Sequence, residues 1–165
     1  MGVAVQTREA IAEQWLARVL RTYPCQTAGF LKEEPDPFRN PVGHTLKQAL
    51  GILLDELLLG MEAGRVRAAL DSIVQIRAVQ DCAPSRALEF LFQLKPILRS
   101  LAPGPGLDLP DSRIDEMALL AFDLYMKYRE RTFEARTNEA RRRVYVLERR
   151  FAAREPAAWQ ERGAR

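Results

Sequence analysis

The sequence predicts an all-α protein of five or six helices that closes with one long helix. Apolar residues recur three and four positions apart along most of the chain, which is the spacing of one helix face. Breaks containing proline or glycine separate these stretches near residues 23–41, 81–84 and 102–112. Neither residue type occurs between Asp111 and Glu155, so the last helix can run without interruption. At 165 residues the chain is long enough for one domain with its own core.

The first helix is predicted to begin at a cap from Thr7 and to end at Pro24. Residues 23–41 then form a loop rich in proline and glycine. Because a loop of this length stays ordered only if something anchors it, we expect its apolar side chains to fold back onto the core, with Phe38 largely buried. The core face of the helix consists of Ile11, Trp15, Val19 and Leu20, and the loop supplies Phe30, Leu31 and Phe38.

The second helix is expected to start near Asn40-Pro41, in the turn Asp36–Gly43, and to end at Gly60. Asn40 is a favourable cap, and Pro41 suits the first helical position because its missing N–H would be unpaired there anyway. Glycine after the last turn is a common helix stop. The apolar face of this helix consists of Val42, Leu46, Leu50, Leu53 and Leu57.

Two further helices follow. The third covers about 64–80 and carries Arg77 in its last turn, where a cation suits the helix dipole. The fourth begins at Pro84 and holds Pro96 in its interior, which predicts a kink or a new helix start. Their apolar faces are Val66, Leu70, Ile73 and Val74 in the third, and Ala87, Leu91, Leu94, Leu98 and Leu101 in the fourth.

The last helix is predicted over about 112–153, with a cap from Asp111 or Ser112. At ~1.5 Å per residue it is roughly 60 Å long, whereas a body of this size is about 30 Å across. Its end should therefore extend beyond the body and present its apolar stripe to a partner helix. We divide the chain into a helical domain, residues 1–132, and a basic helical extension, residues 133–165. The expected contacts, in a homodimer or with a partner, are Phe133, Ala140, Val144, Leu147 and Phe151.

Charge is distributed unevenly along the chain. Residues 1–126 hold 13 basic and 16 acidic side chains, a net charge of −3, and residues 127–165 hold 12 basic and 6 acidic, a net charge of +6. Such asymmetry favours an interacting tail. Its arginines alternate with glutamates along an apolar seam, which favours a protein partner over nucleic acid. No apolar run reaches the ~20 residues of a membrane span, so no membrane partner is expected.

The residue types of known catalytic sites do not occur in the required patterns. His44 is the single histidine, and no carboxylate stands at ligand spacing, so we expect no metal and no other cofactor. Nucleophilic-serine, phosphate-loop and dinucleotide motifs are missing from the sequence. Cys25 and Cys82 lack the CxxC spacing, which is typical of reduced thiols in the cytoplasm. We predict a cytoplasmic protein that is not an enzyme. A small-ligand-binding protein or an enzyme with a pocket between helices stays open as the alternative.

Several segments occur in the order found in one family. They are RTYPCQTAGFLKEEPDPFRNPVGHT (21–45), LLDELL (53–58), IVQIRAVQDCAPSRALEFLFQLK (73–95), the Pro/Gly loop and the long closing helix. Over most of residues 8–135 the chain resembles the N-terminal domain of the RsbR/RsbRD type, the co-antagonists of the kinase RsbT. The signatures DPFxNPVG and IRAVQDxxPSxA are the most specific part of this resemblance.

The resemblance implies a globin-like sensor domain that regulates stress signalling, binds no haem and dimerises. In the co-antagonists a helical linker joins this domain to a STAS domain that meets the kinase. No STAS domain follows within these 165 residues, so we expect a separate signalling partner, such as a kinase or a STAS-type regulator. We expect a structural role for Phe30, Asp36, Pro37, Phe38, Asn40, Pro41, Gly43, Asp81, Pro84 and Ser85. A weaker option is a small-ligand pocket lined by His44, Arg77 and Gln80.

Overall fold

The computed structural model describes residues 5–23, 25–80, 83–101 and 108–152, and within these ranges the chain consists of helices and short connections. The predicted all-α class and the long closing helix are confirmed, whereas a globin-like arrangement stays a prediction. The helices are α1 (Val5–Leu20), α2 (Cys25–Glu33), α3 (Pro41–Leu59), α4 (Ala63–Val79), α5 (Pro84–Phe92), α6 (Leu94–Leu101) and α7 (Asp108–Ala152).

The chain divides into two compact units. Unit 1 is Met1–Tyr128 and unit 2 is Arg129–Arg165. In unit 1, α3 packs along α4, and α1 packs against α3 and α6. The predicted core faces of these helices are buried in one hydrophobic cluster, except for Val42 and Leu101, which are partly buried and pack against it. To this cluster α7 adds the side chains Ile114, Met117, Ala121, Leu124 and Tyr125. In unit 2 the described residues, 129–152, are helical, and none of their side chains is buried.

Trp15 connects α1 to α5 inside the core. Its side chain is fully buried, and its indole N–H donates to the carbonyl of Phe90 at 2.7 Å. The two rings are stacked with their centroids 6.3 Å apart. The buried polar atom of the indole is thereby satisfied, which is the usual condition for burying tryptophan.

The prediction of a loop over residues 23–41 is wrong for Cys25–Glu33, which form α2. The prolines of this region, Pro24 and Pro35, flank α2 rather than interrupt it, so they bound a helix instead of excluding one. Leu31 is buried against the core, as expected of an apolar residue in this stretch. The predicted cap at Thr7 is also wrong, because α1 already begins at Val5.

Pro96 has the predicted effect on its surroundings. The helix that starts at Pro84 ends at Phe92, and α6 begins at Leu94. Pro96 is the third residue of α6, within the first turn, where its missing N–H removes no helical hydrogen bond. The loop predicted for 102–112 lies partly outside the described residues. Its part from Asp108 onward is wrong, because α7 starts there.

Candidate functional site

The turn before α3 is held by the buried side chain of Asn40, which is 3% exposed. Its Oδ1 accepts from the backbone N–H of Gly43 at 2.8 Å and so caps the helix as predicted. Its Nδ2 donates to the carbonyls of Leu31 at 2.9 Å and Glu34 at 3.1 Å, and thereby fastens the end of α2 to the start of α3. One amide therefore satisfies backbone groups of two helices at once.

Glycine is required at position 43 because α2 and α3 approach each other closely there. A Cβ atom at this position would lie 2.5 Å from the carbonyl oxygen of Leu31. That distance is a clash with backbone, which has little freedom to move. Together with Pro41 at the first position of α3, these contacts give the Asn-Pro-Val-Gly sequence a structural role.

The prediction that Phe38 is buried is wrong, because its side chain is 95% exposed. The turn is anchored by polar groups instead. Asp36 Oδ1 accepts from the backbone N–H of Phe38 at 2.9 Å, and the carbonyl of Asp36 accepts from Asn40 N at 2.8 Å. Phe30 on α2 is also 47% exposed. Since hydrogen bonds already fix the turn, no aromatic anchor is needed.

An open cleft of about 1000 Å³ lies in unit 1, where the ends of α1 and α4 meet α2 and α5. Its described lining contains four arginines and a single carboxylate, that of Glu89. The volume is at the upper end of the ~300–1,000 Å³ common for small-molecule sites. The lining residues are Arg18, Arg21, Thr22, Tyr23, Thr27, Arg77, Gln80, Arg86, Glu89 and Gln93. We call this feature the arginine cleft.

Arg77 lines the arginine cleft and is 3% exposed. Its guanidinium lies 5.4 Å from the ring centroids of both Tyr23 and Phe90, which is cation–π distance. Its Nη2 donates to Thr22 Oγ1 at 3.1 Å, and its Nη1 donates to the carbonyl of Arg86 at 3.4 Å. These contacts hold a buried positive charge at a fixed position between α1, α4 and α5.

The three residues proposed as a ligand pocket have different places in unit 1. Arg77 and Gln80 both line the arginine cleft, whereas His44 is an exposed residue of α3 that does not line it. Pro84 is the first residue of α5, and Ser85 beside it is exposed. Asp81 lies outside the described residues. The structure therefore brings together two members of the predicted set and separates the third.

The expected contact residues of the closing helix are all exposed in unit 2. The exposed fractions are 72% for Phe133, 54% for Val144, 50% for Leu147 and 66% for Phe151. Ala140 is exposed as well. Glu139 and Arg143 form an i,i+4 ion pair at 2.9 Å. We call this row of residues, together with the half-buried Thr137, the exposed stripe.

Across the described residues, no group of three or more histidine, cysteine, aspartate or glutamate side chains is arranged to hold a metal ion. In the same part of the chain, no helix combines the length and the apolar character needed to cross a membrane.

The sequence does not predict most of the arginine cleft, because its residues come from four helices and the turns beside them and share no motif. One signal was available. Arg77 follows Val66, Leu70 and Ile73 at helical spacing, which places it on the buried face of α4. A charged residue on such a face needs partners. The sequence alone could not show that Arg18, Arg21 and Arg86 lie beside it.

A comparison with family models supports the resemblance in the sequence. Residues 9–104 match the model of the RsbT co-antagonist protein rsbRD N-terminal domain. Comparisons with curated proteins and with solved structures found no match. The matched range covers all of the Asn40 turn and every described lining residue of the arginine cleft. With more than half of its length matched, the chain belongs to the family of RsbRD N-terminal domains, the regulatory domains of RsbT co-antagonists.

Proposed function

We propose that this protein is a cytoplasmic signalling sensor of the RsbT co-antagonist type that forms a homodimer and reaches its signalling partner through the helix of unit 2. The observation that carries the proposal is the exposed stripe. Phe133, Val144, Leu147 and Phe151 are each at least half exposed, although they recur at the spacing of a helix–helix interface.

The energetics favour a covered stripe. Apolar surface that stays in water forgoes about 25 cal/mol for each Å² that could be buried. Residues 133, 137, 140, 144, 147 and 151 follow each other in steps of four and three, so two copies can interlock as a coiled coil. Arg142 and Arg149 project away from this stripe by their helical phase, which leaves their charges in solvent when the stripe is covered.

A second exposed apolar row occurs on α7 within unit 1. Leu119, Phe122 and Met126 are 72%, 46% and 40% exposed and are spaced by three and four residues. Isolated apolar residues on a surface need no explanation, but rows at interface spacing are typical of contact surfaces. This row supports a partner for α7 in unit 1 as well.

Sedimentation equilibrium at tens of micromolar tests the proposal. The variant Val144→Glu/Leu147→Glu places two negative charges in the exposed stripe, and we expect it to be a monomer while the parent is a dimer. The matched control is Ala135→Glu/Asn138→Glu, which adds the same charge on the opposite face of the same helix. We expect this control to remain a dimer.

A parent that is monomeric under these conditions would remove the homodimer from the proposal. The stripe would then be a docking surface for another protein. A control variant that dissociates as readily as the stripe variant would show that added charge, and not the position of the stripe, controls association.

A further inference from the structure

We infer that the arginine cleft is the input site of this sensor and that it binds a small organic anion bearing phosphate or carboxylate groups. The inference rests on the proposed sensor function and adds to it a site and a class of ligand. It depends on three features of unit 1: the concentration of positive charge, the fixed position of Arg77, and two buried polar atoms without a hydrogen-bond partner among the described residues.

The charge in the cleft opposes the charge of its surroundings. Residues 1–126 carry a net charge of −3 (13 basic and 16 acidic residues), whereas the described lining of the cleft carries four arginines against one glutamate, a net charge of +3. Grouping like charges costs folding free energy. An anion that binds among these arginines reduces their mutual repulsion. Its binding is therefore favourable and raises the stability of the folded protein.

Two of the arginines are available to a ligand. Arg18 is half-buried and Arg21 is exposed, and neither forms an ion pair with a carboxylate among the described residues. Arg18 Nη1 makes only a long hydrogen bond, 3.5 Å, to the carbonyl of Gln93. Arg86 is paired with Glu89 at 3.3 Å. Arginine offers a planar set of donors that fits phosphate and carboxylate in pairs of hydrogen bonds.

The two polar atoms indicate what else the ligand carries. Tyr23 Oη and Gln93 Oε1 are buried and have no hydrogen-bond partner within the described part of the chain. Both residues line the arginine cleft. Buried polar atoms are paired in the great majority of cases. Because both atoms are closed to solvent, a ligand reaches them only when the side chains of Tyr23 and Gln93 turn toward the cleft. A hydroxyl group next to the anionic group of the ligand would then supply a donor to Gln93 and a partner for the Tyr23 hydroxyl.

Isothermal titration calorimetry of the full chain tests the inference with three probes: inorganic phosphate, citrate and 3-phosphoglycerate. The last carries phosphate, carboxylate and hydroxyl groups together, and we expect it to bind most tightly. Removal of two cleft charges in Arg18→Gln/Arg21→Gln should weaken binding about tenfold or more, because charge-assisted hydrogen bonds are the strong class. Tyr23→Phe should weaken 3-phosphoglycerate more than inorganic phosphate.

The matched control removes two charges from the other basic region of the chain. Arg142→Gln/Arg149→Gln changes the helix of unit 2 by the same −2 and leaves the exposed stripe intact. We expect this control to keep the affinity of the parent within about twofold, since long-range surface charges are largely screened at physiological salt. Each variant is checked by circular dichroism so that a loss of binding is measured on folded protein.

Three results would overturn the inference. The first is a parent that binds none of the probes at millimolar concentration. The second is a control that loses affinity as much as the cleft variant, which would place anion binding on unit 2. The third is unchanged binding in Arg18→Gln/Arg21→Gln. The titration is independent of sedimentation, so a failed dimer and a failed ligand site are told apart.

Discussion

The two ends of α7 have the same apolar periodicity and opposite environments. In unit 1, Ile114, Met117, Ala121 and Leu124 follow each other by three and four residues and are at most 2% exposed. In unit 2, Val144 and Leu147 continue such a spacing and are 54% and 50% exposed. Periodicity therefore specifies which face of a helix is apolar, but it does not specify what covers that face.

The two ends of α7 should differ most in how far a leucine-to-alanine substitution lowers the stability of the monomer. Leu124→Ala removes a buried side chain and should cost about 2–5 kcal/mol, or roughly 2–4 °C of melting temperature for each kcal/mol. Leu147→Ala is the same substitution in the exposed stripe and should stay within about 0.5 kcal/mol at protein concentrations too low for association. Thermal unfolding followed by circular dichroism measures both.

The effect of Leu147→Ala on stability should also depend on the protein concentration. If the stripe is covered by a second copy, Leu147→Ala should become more damaging as the protein concentration rises, because unfolding is then linked to dissociation. Equal losses for Leu124→Ala and Leu147→Ala at the lowest concentration would contradict the assignment of Leu147 to an exposed surface.

The same contrast between chemistry and environment occurs in the turn before α3. Phe38 is apolar and 95% exposed, whereas Asn40 is polar and 3% exposed. Asn40→Ala removes the helix cap and leaves the carbonyls of Leu31 and Glu34 without their donor, which we expect to cost about 2 kcal/mol. Phe38→Ala should change stability by less than about 0.5 kcal/mol.

Chemical denaturation of Asn40→Ala, Phe38→Ala and the parent measures these two changes in stability. A Phe38→Ala variant that is as unstable as Asn40→Ala would show that the aromatic side chain is covered in solution. His44→Ala serves as a control from the same region, since His44 is exposed and lies near the start of α3.

The sequence was sufficient for the features that depend on local order. The core faces of α1, α3 and α4, the cap at Asn40, the stop at Gly60 and the break before Pro96 each follow from spacing or from backbone chemistry. The most specific part of the family resemblance, the motifs DPFxNPVG and IRAVQDxxPSxA, is local as well. These features are set by residues within a few positions of each other.

The features that sequence missed depend on residues far apart in the chain. Arg18 and Arg77 line one cleft although 59 positions separate them, and only the packing of α1 against its neighbours reveals this. The apolar character of Phe38 predicts a buried side chain, but this side chain is 95% exposed. The turn is anchored instead by the polar side chain of Asn40. The sequence predicts its role as a helix cap but not its hydrogen bond to α2.

The smallest expected effect concerns the second helix cap, Glu62, which differs from Asn40 by being exposed. Its carboxylate accepts from the backbone N–H groups of Gly64 at 2.9 Å and Arg65 at 2.8 Å. These two hydrogen bonds favour the charged form and lower the pKa of Glu62 from its ordinary value of 4.5. A pKa that is lower in the folded state adds stability above the unfolded pKa, and this stability is lost as the pH falls through the folded pKa.

Glu62→Gln keeps an acceptor oxygen but removes the charge, so it isolates this contribution. We expect a slightly lower melting temperature than the parent at pH 7, and a difference that shrinks once the pH falls below about 4.5. Other carboxylates titrate in both proteins and cancel in the difference. A difference that is constant from pH 7 to pH 3 would show that the charge of Glu62 does not stabilise the start of α4. The contrast with the buried cap at Asn40, which has no titrating group, would then rest on burial alone.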